Sequence, residues 1–305
     1  MDLNTLYHRT VECWADRVNA VGPDQWDDPT PCRDWTVRDL VNHVVGEDRW
    51  TVPLVEGRTI ADVGTTLDGD LLGDDPVGSA LDAARQATTR VAEKLPEGGE
   101  VHLSYGDAPI GDYVHELAAD HLLHSWDLAV ATGGNARLDP QVTAELAEWF
   151  AGKEALYREF GVIGPRAISH GGMQSDLLAA AGRDSAWGPN HAALARLSAA
   201  FGQGDIDAIM AQLTDDCAFE ATGPAPDGTR HQGAADVRAV WEEMFGGTRE
   251  PSFSEEESFV AGDRGVLRWR FEWVDDDGSP GHVRGTDVLR FRDGKICEKF
   301  SYVKG

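Results

Sequence analysis

A turn-forming triplet, Gly188, Pro189 and Asn190, divides this chain into two stretches of different periodicity. Before it, apolar residues recur at helical intervals; after it, helices give way to alternating strands. A chain of 305 residues can bury two separate cores. The two patterns therefore predict an all-α domain over residues 1–187 and an α+β domain over 191–305.

In the first stretch, Leu3, Leu6, Val11, Trp14 and Val18 stand at helical spacing, and Gly22 and Pro23 end the run. Asp34, just ahead of Thr36 and Val37, reads as an entry signal for a second helix running to about Trp50. Gly46 within it either admits a neighbouring helix or is a plain defect. A Gly, Asp and Thr-rich loop over 59–75 leads to a third helix over 77–94, and VHLSYGDAPIGDY reads as an extended crossing. Helices over 112–131 and 140–160 follow, then a returning tail over 161–187.

Residues 112–131, DYVHELAADHLLHSWDLAVA, carry ionisable groups on an otherwise apolar helical pattern. Asp120 and His124 stand at i and i+4, so their side chains project from one face and can converge on a metal ion. A third ligand must come from another helix. His43, among Leu40, Val41, Val44 and Val45, is the candidate, although a lone histidine in such a setting is ordinarily a satisfied core residue. His121 and Asp127 share the later helix and dilute the pattern.

Composition narrows the function classes. With 27 Lys and Arg against 53 Asp and Glu, the formal charge of −26 argues against a nucleic-acid surface, whose affinity comes from clustered cations. Cys13, Cys32, Cys217 and Cys297 are scattered without C-x-x-C spacing, which predicts reduced thiols rather than a disulfide framework or a cysteine-built zinc site. No apolar run is long enough to span a bilayer, and MDLNTLYHRT lacks the features of a secretory signal. A soluble, cytoplasmic protein is expected.

The words WDDPTPCRDWTVRDLVNHVVGE, DHLLHSWDLAVATG and AAAGRDSAW, in that order, resemble the metal-binding family of the N-terminal domain of mycothiol-dependent maleylpyruvate isomerase, within the DinB-like superfamily. The resemblance covers residues 1–187. It implies a four-helix bundle whose metal, commonly zinc, is held by three side chains from two helices. Carried onto this sequence, those ligands are His43, Asp120 and His124, with Asp120 standing where the isomerase has a glutamate. It also implies a thiol cofactor, mycothiol, and transferase or isomerase chemistry on a small molecule. The isomerase's own second domain is replaced here, so maleylpyruvate does not carry over as substrate.

Past residue 190 the pattern predicts helices over 191–203, 206–213 and 234–245, a strand over 217–221, and strands in VLRWRFEWV, GHVRGTDVLRFR and KICEKFSYV. FGQGDIDAIMAQLTDDCAFEATGP, HQGAADVRAVWEEMF and GTDVLRFRDGKICEKFSYV resemble the SnoaL-like branch of the nuclear-transport-factor-2-like fold, a cone-shaped α+β barrel. That resemblance places Asp287 inside the cone as an acid/base group with a raised pKa. The alternative is a carboxylate paired with Arg284 or another arginine. Leu197 and Ala221 stand where ketosteroid isomerase has its tyrosine and general base; His231 and Glu220 are possible substitutes. Trp241, Trp269, Trp273 and Tyr302 either line a pocket or fill the core. Cones of this type often pair through their sheets, so a homodimer is expected by analogy. Three functions stay open: metal and thiol chemistry in the first domain, acid/base chemistry at Asp287, or a non-catalytic metal-stabilised binding protein.

Overall fold

A computed structural model describes residues 1–304. The chain forms two compact units that divide between Trp187 and Gly188. The first is helical, the second built of helices and a sheet.

The first unit contains α1 (Leu3–Asn19), α2 (Val37–Val55), α3 (Ile60–Val63), α4 (Pro76–Lys94), β1 (Glu100–Leu103), β2 (Gly106–Pro109), α5 (Ile110–Ala131), α6 (Pro140–Ala151), α7 (Glu154–Glu159) and α8 (Met173–Ala180). Apart from α5, which follows Pro109 without a side-chain cap, the long helices start where a side chain can satisfy their free amides. Asp2 caps α1 through Thr5, Thr36 and Asp39 form a reciprocal capping box on α2, and Asp75 caps α4 ahead of Pro76. Leu6, Tyr7, Val11, Trp14 and Val18 make one buried stripe on α1. The alanines Ala80, Ala83, Ala84 and Ala87 give α4 a thin face against α2.

Helix α5 is the centre of this unit. Fifteen of its 22 residues are buried, on all sides, as suits a helix enclosed by others. It packs on α1, α2 and α6. The segment expected to be an extended crossing is instead a hairpin, β1 against β2, with Leu103 opposite Gly106. The helix expected over 140–160 breaks at Gly152 and Lys153. Gly46 admits no helix: a Cβ there would meet only Leu71 of the following loop, at 3.7 Å.

The second unit contains α9 (Pro189–Gln203), α10 (Ile206–Ala211), β3 (Leu213–Glu220), β4 (Arg230–Gln232), α11 (Ala234–Gly247), β5 (Ser252–Ala261), β6 (Arg264–Val274), β7 (Pro280–Arg292) and β8 (Lys295–Val303). The sheet order is β4-β3-β8-β7-β6-β5, antiparallel throughout except for the parallel pair β3 and β8. Register shifts interrupt β3/β8, β5/β6 and β7/β8, and such bulges bend a sheet. Helices α9 and α11 pack on it over a core that includes Leu197, Phe201, Trp241, Leu267 and Leu289. Gly285 has to be a glycine: a Cβ there would lie 2.2 Å from Cζ2 of Trp269 on the paired strand.

Among the described residues, no helix is long and apolar enough to cross a membrane, and all four cysteines are free.

Candidate functional site

Helices α2 and α5 lie side by side, and the ionisable residues of α5 meet those of α2 across their contact. Helical spacing sets Asp120 and His124 one turn apart on α5, with His124 Nε2 3.2 Å from Asp120 Oδ1. His43 reaches the same carboxylate oxygen from α2, its Nε2 at 3.7 Å. The two imidazoles stand nearly edge to face, 5.0 Å between centroids. Each of the three residues offers one donor atom within 4.8 Å of the others. The three residues singled out in the sequence as metal ligands are therefore neighbours. The indole of Trp35 flanks both histidines, 4.9 Å from His43 and 6.1 Å from His124.

The charges within the group support one another. Burial pushes the Asp120 carboxyl upward, but the charge and hydrogen bond of His124, then those of His43, hold it well below the usual carboxylate range. His124 responds in the opposite sense. Burial pulls it down, and Asp120, then Asp127 and Cys32, lift it well above an ordinary imidazole. The other oxygen of Asp120, Oδ2, is buried with no hydrogen-bond partner. An orphaned carboxylate oxygen beside two imidazoles is a donor set that suits a divalent cation.

Four further residues bear on this site, and the sequence reading did not assign them. Glu47 follows His43 by one turn of α2. Burial, then the charge of Asp120, push its carboxyl above the usual range, against the opposing pull of His43 and His121. Asp127 accepts from Nδ1 of His124 at 2.9 Å and is itself fully buried. Arg183, after α8, donates from Nη2 to Asp127 at 3.0 Å, and the Cys32 thiol donates to the same oxygen at 3.3 Å. Asp127 was legible as the next member of the α5 stripe, at i+7 from Asp120. No periodicity points to Arg183; only the fold brings it there.

In the second unit, strand alternation turns Asp287, Leu289 and Phe291 of β7 inward, with Lys299 and Ser301 of β8 on the same face. Asp287 accepts from Ser301 Oγ at 2.6 Å, and its Oδ2 lies 2.8 Å from Lys299 Nζ. The expected arginine partner is thus a lysine: Arg284 is engaged by Glu256 at 2.7 Å instead. The Lys299 ammonium also sits 5.0 to 5.4 Å from the ring centres of Phe219, Trp241 and Phe201, within cation–π range. The two suggested substitutes are occupied elsewhere, Glu220 with Arg230 and His231 with Asp236 and the ring of Phe219. Trp241 and Trp269 are inside, whereas Tyr302 is 58% exposed.

Comparison with known proteins agrees with this division. The profile of the mycothiol maleylpyruvate isomerase N-terminal domain matches residues 7–129, and that of the SnoaL-like domain matches 194–299. The uncharacterised protein Rv0738 of Mycobacterium tuberculosis is 32% identical over 154 residues, spanning 48% of this chain and 75% of its own. The chain belongs to the mycothiol maleylpyruvate isomerase N-terminal domain family. Behind the family domain the chain carries a SnoaL-like domain. Solved structures similar to the chain include an NTF2-like protein from Mesorhizobium loti, 36% identical over 38% of this chain and 92% of that one, with a TM-score of 0.34. Another is an NTF2-like protein from Cytophaga hutchinsonii, 20% identical over 37% and 96%, with a TM-score of 0.32.

Proposed function

We infer that the first domain is a DinB-like four-helix bundle holding a divalent metal, zinc by the nature of its donors, on His43, Asp120 and His124. The chain is then a metal-dependent transferase or isomerase that uses a thiol, mycothiol in this family, on a small molecule. The observation that carries this reading is the single Asp120 oxygen lying 3.2 and 3.7 Å from two imidazole nitrogens while its partner oxygen is orphaned. Tetrahedral zinc with bonds of about 2.0–2.1 Å keeps its donors roughly 3.3 Å apart, close to both spacings.

When bound, such a metal lowers the pKa of a thiol or water and so supplies a nucleophile near neutral pH. The chain's own residues do the rest. His43 and His124 present Nε2, and Asp120 presents the carboxylate. Trp35 lies against both imidazoles. Glu47 stands one turn from His43 on α2, and burial raises its carboxyl above the usual range. Elemental analysis of native protein tests the reading, followed by a thiol-binding titration on the same sample. Stoichiometric zinc that disappears in His43→Ala and His124→Ala supports it; a carefully purified chain without metal refutes it.

A second reading puts acid/base chemistry, an isomerisation or cyclisation, at Asp287 in the cone. It is favoured by the carboxylate, ammonium and hydroxyl of Asp287, Lys299 and Ser301 meeting in apolar surroundings. Thiol-transfer activity that survives Asp287→Asn and fails in His124→Ala selects the first reading over the second.

A further inference from the structure

Cys32, His124 and Asp127 form a second group of potential metal donors, sharing His124 with the first. Either a second ion belongs there, or the group serves the first site. Arg183 decides between them. Its Nη2 lies 3.0 Å from Asp127 Oδ2 and 3.8 Å from Cys32 Sγ, so a full positive charge already neutralises the buried carboxylate. A cation placed among the same atoms would face that guanidinium at close range, where burial leaves little screening. Asp127 Oδ2 is moreover already engaged by the imidazole, the guanidinium and the thiol.

We propose that Arg183 and Asp127 form a strut that fixes the ring of His124, keeping the proton on Nδ1 and turning Nε2 toward Asp120 and His43. An imidazole has two nitrogens, and the partner of one settles which proton and which lone pair the other presents. Asp127 is 0% exposed, so its carboxylate has no competing water, and it sits 2.9 Å from Nδ1. Arg183 is in turn tied to the backbone, donating from Nη1 to the carbonyl of Ala181 at 2.8 Å, while its Nε approaches both Asp127 oxygens at 3.4 Å. The strut thus runs from the end of α8 through Asp127 to a proposed ligand on α5. Arg183 and Asp127 are positioning residues: neither faces the point where the three donors converge. This inference rests on the metal-dependent reading above.

The test uses the full chain, stripped of metal and titrated with zinc against a chromophoric chelator, and separately with cobalt(II), in wild type, Asp127→Asn, Arg183→Lys and Cys32→Ser. The expected result is a zinc affinity about 10–100-fold lower in Asp127→Asn, the usual cost of losing an outer partner of a metal-bound histidine. The visible cobalt band should change shape with it, and Arg183→Lys, which keeps the charge but not the fork, should show a smaller shift of both. Unchanged affinity in Asp127→Asn overturns the strut, as does weaker affinity with an unaltered cobalt band, which marks only a loosened fold. If Asp127→Asn does not fold, Arg183→Lys carries the test, and wild-type affinity in it overturns the strut. An intense near-ultraviolet thiolate-to-cobalt band lost in Cys32→Ser overturns it too, by placing the ion on Cys32. Wild type that takes up no zinc overturns the metal reading and the strut together; wild type that binds while Asp127→Asn binds equally overturns the strut alone.

Discussion

Asp48 of α2 and His121 of α5 face each other with neither side chain exposed, Oδ1 3.2 Å from Nε2. The pair reverses the roles seen nearby, where α2 supplies the histidine, His43, and α5 the aspartate, Asp120. Its atoms are close but not aligned for a hydrogen bond, and both Asp48 oxygens lack such a partner. Burial pulls the His121 imidazole down, and Asp48, then Asp120 and the carbonyl of Leu117, lift it above its ordinary value. Removing one member strands the other. His121→Leu should destabilise the first domain by about 3–5 kcal/mol, and Asp48→Leu combined with His121→Leu should recover most of that loss. Urea unfolding of the two single variants and the double variant measures the coupling; additive effects would show that the pair does not interact.

The family resemblance puts Asp120 where the namesake isomerase has a glutamate, and its Oδ2 is buried without a hydrogen-bond partner. Asp120→Glu should keep stoichiometric zinc with affinity within about tenfold of wild type, because the donor atom type is unchanged. Asp120→Ala should lose it. A chelator competition assay reads both, and zinc held at wild-type affinity in Asp120→Ala would mean that the carboxylate does not bind.

Stability against acid should depend on Asp139, the N-cap of α6. Burial raises its carboxyl, but the amides of Val142 and Gln141, then Arg9, outweigh that and hold it below its ordinary value. A depressed folded-state pKa contributes stability above the unfolded value, about 3.9, and loses it as pH falls through the folded value. Asp139→Ala should therefore cost about 1 kcal/mol near pH 7, and the gap from wild type should narrow below about pH 4. Urea midpoints at both pH values check it; a gap that widens on acidification would contradict the sign.

Trp269 lies flat over Gly285, in the space where any other residue would carry a Cβ. Gly285→Ala should cost about 1–3 kcal/mol by overpacking, since both partners are held by the sheet. Trimming the ring in the same chain, with Trp269→Leu, should make the alanine less costly than it is against tryptophan. Differential scanning calorimetry of the four chains would reveal equal costs in both backgrounds if the contact were slack.

The long helices of the first unit were legible because apolar spacing and caps agreed: Leu6, Trp14 and Val18 on α1, and Thr36 with Asp39 opening α2. The hairpin β1 and β2 was not, because four-residue strands around Ser104 and Tyr105 are too short to show a period. Strand β5 escaped for another reason: Glu255, Glu256 and Glu257 span a register shift that breaks the alternation, and Glu256 answers Arg268 and Arg284 of other strands. At the site, spacing pointed to Asp120 and His124, the second helix offered His43 as the third candidate, and family resemblance then named all three. Arg183 owes its role to a partner far away in sequence, Asp127, and Lys299 owes its role to the register that sets it diagonally across from Asp287 on the neighbouring strand.

Lys299 has a consequence for whatever enters the cone. Its ammonium is already ringed by Phe201, Phe219 and Trp241 and leashed to the chain, so a free amine seeking those faces competes with a rival of very high local concentration. A cation brought to those three rings would have to displace a charge that the chain already holds there.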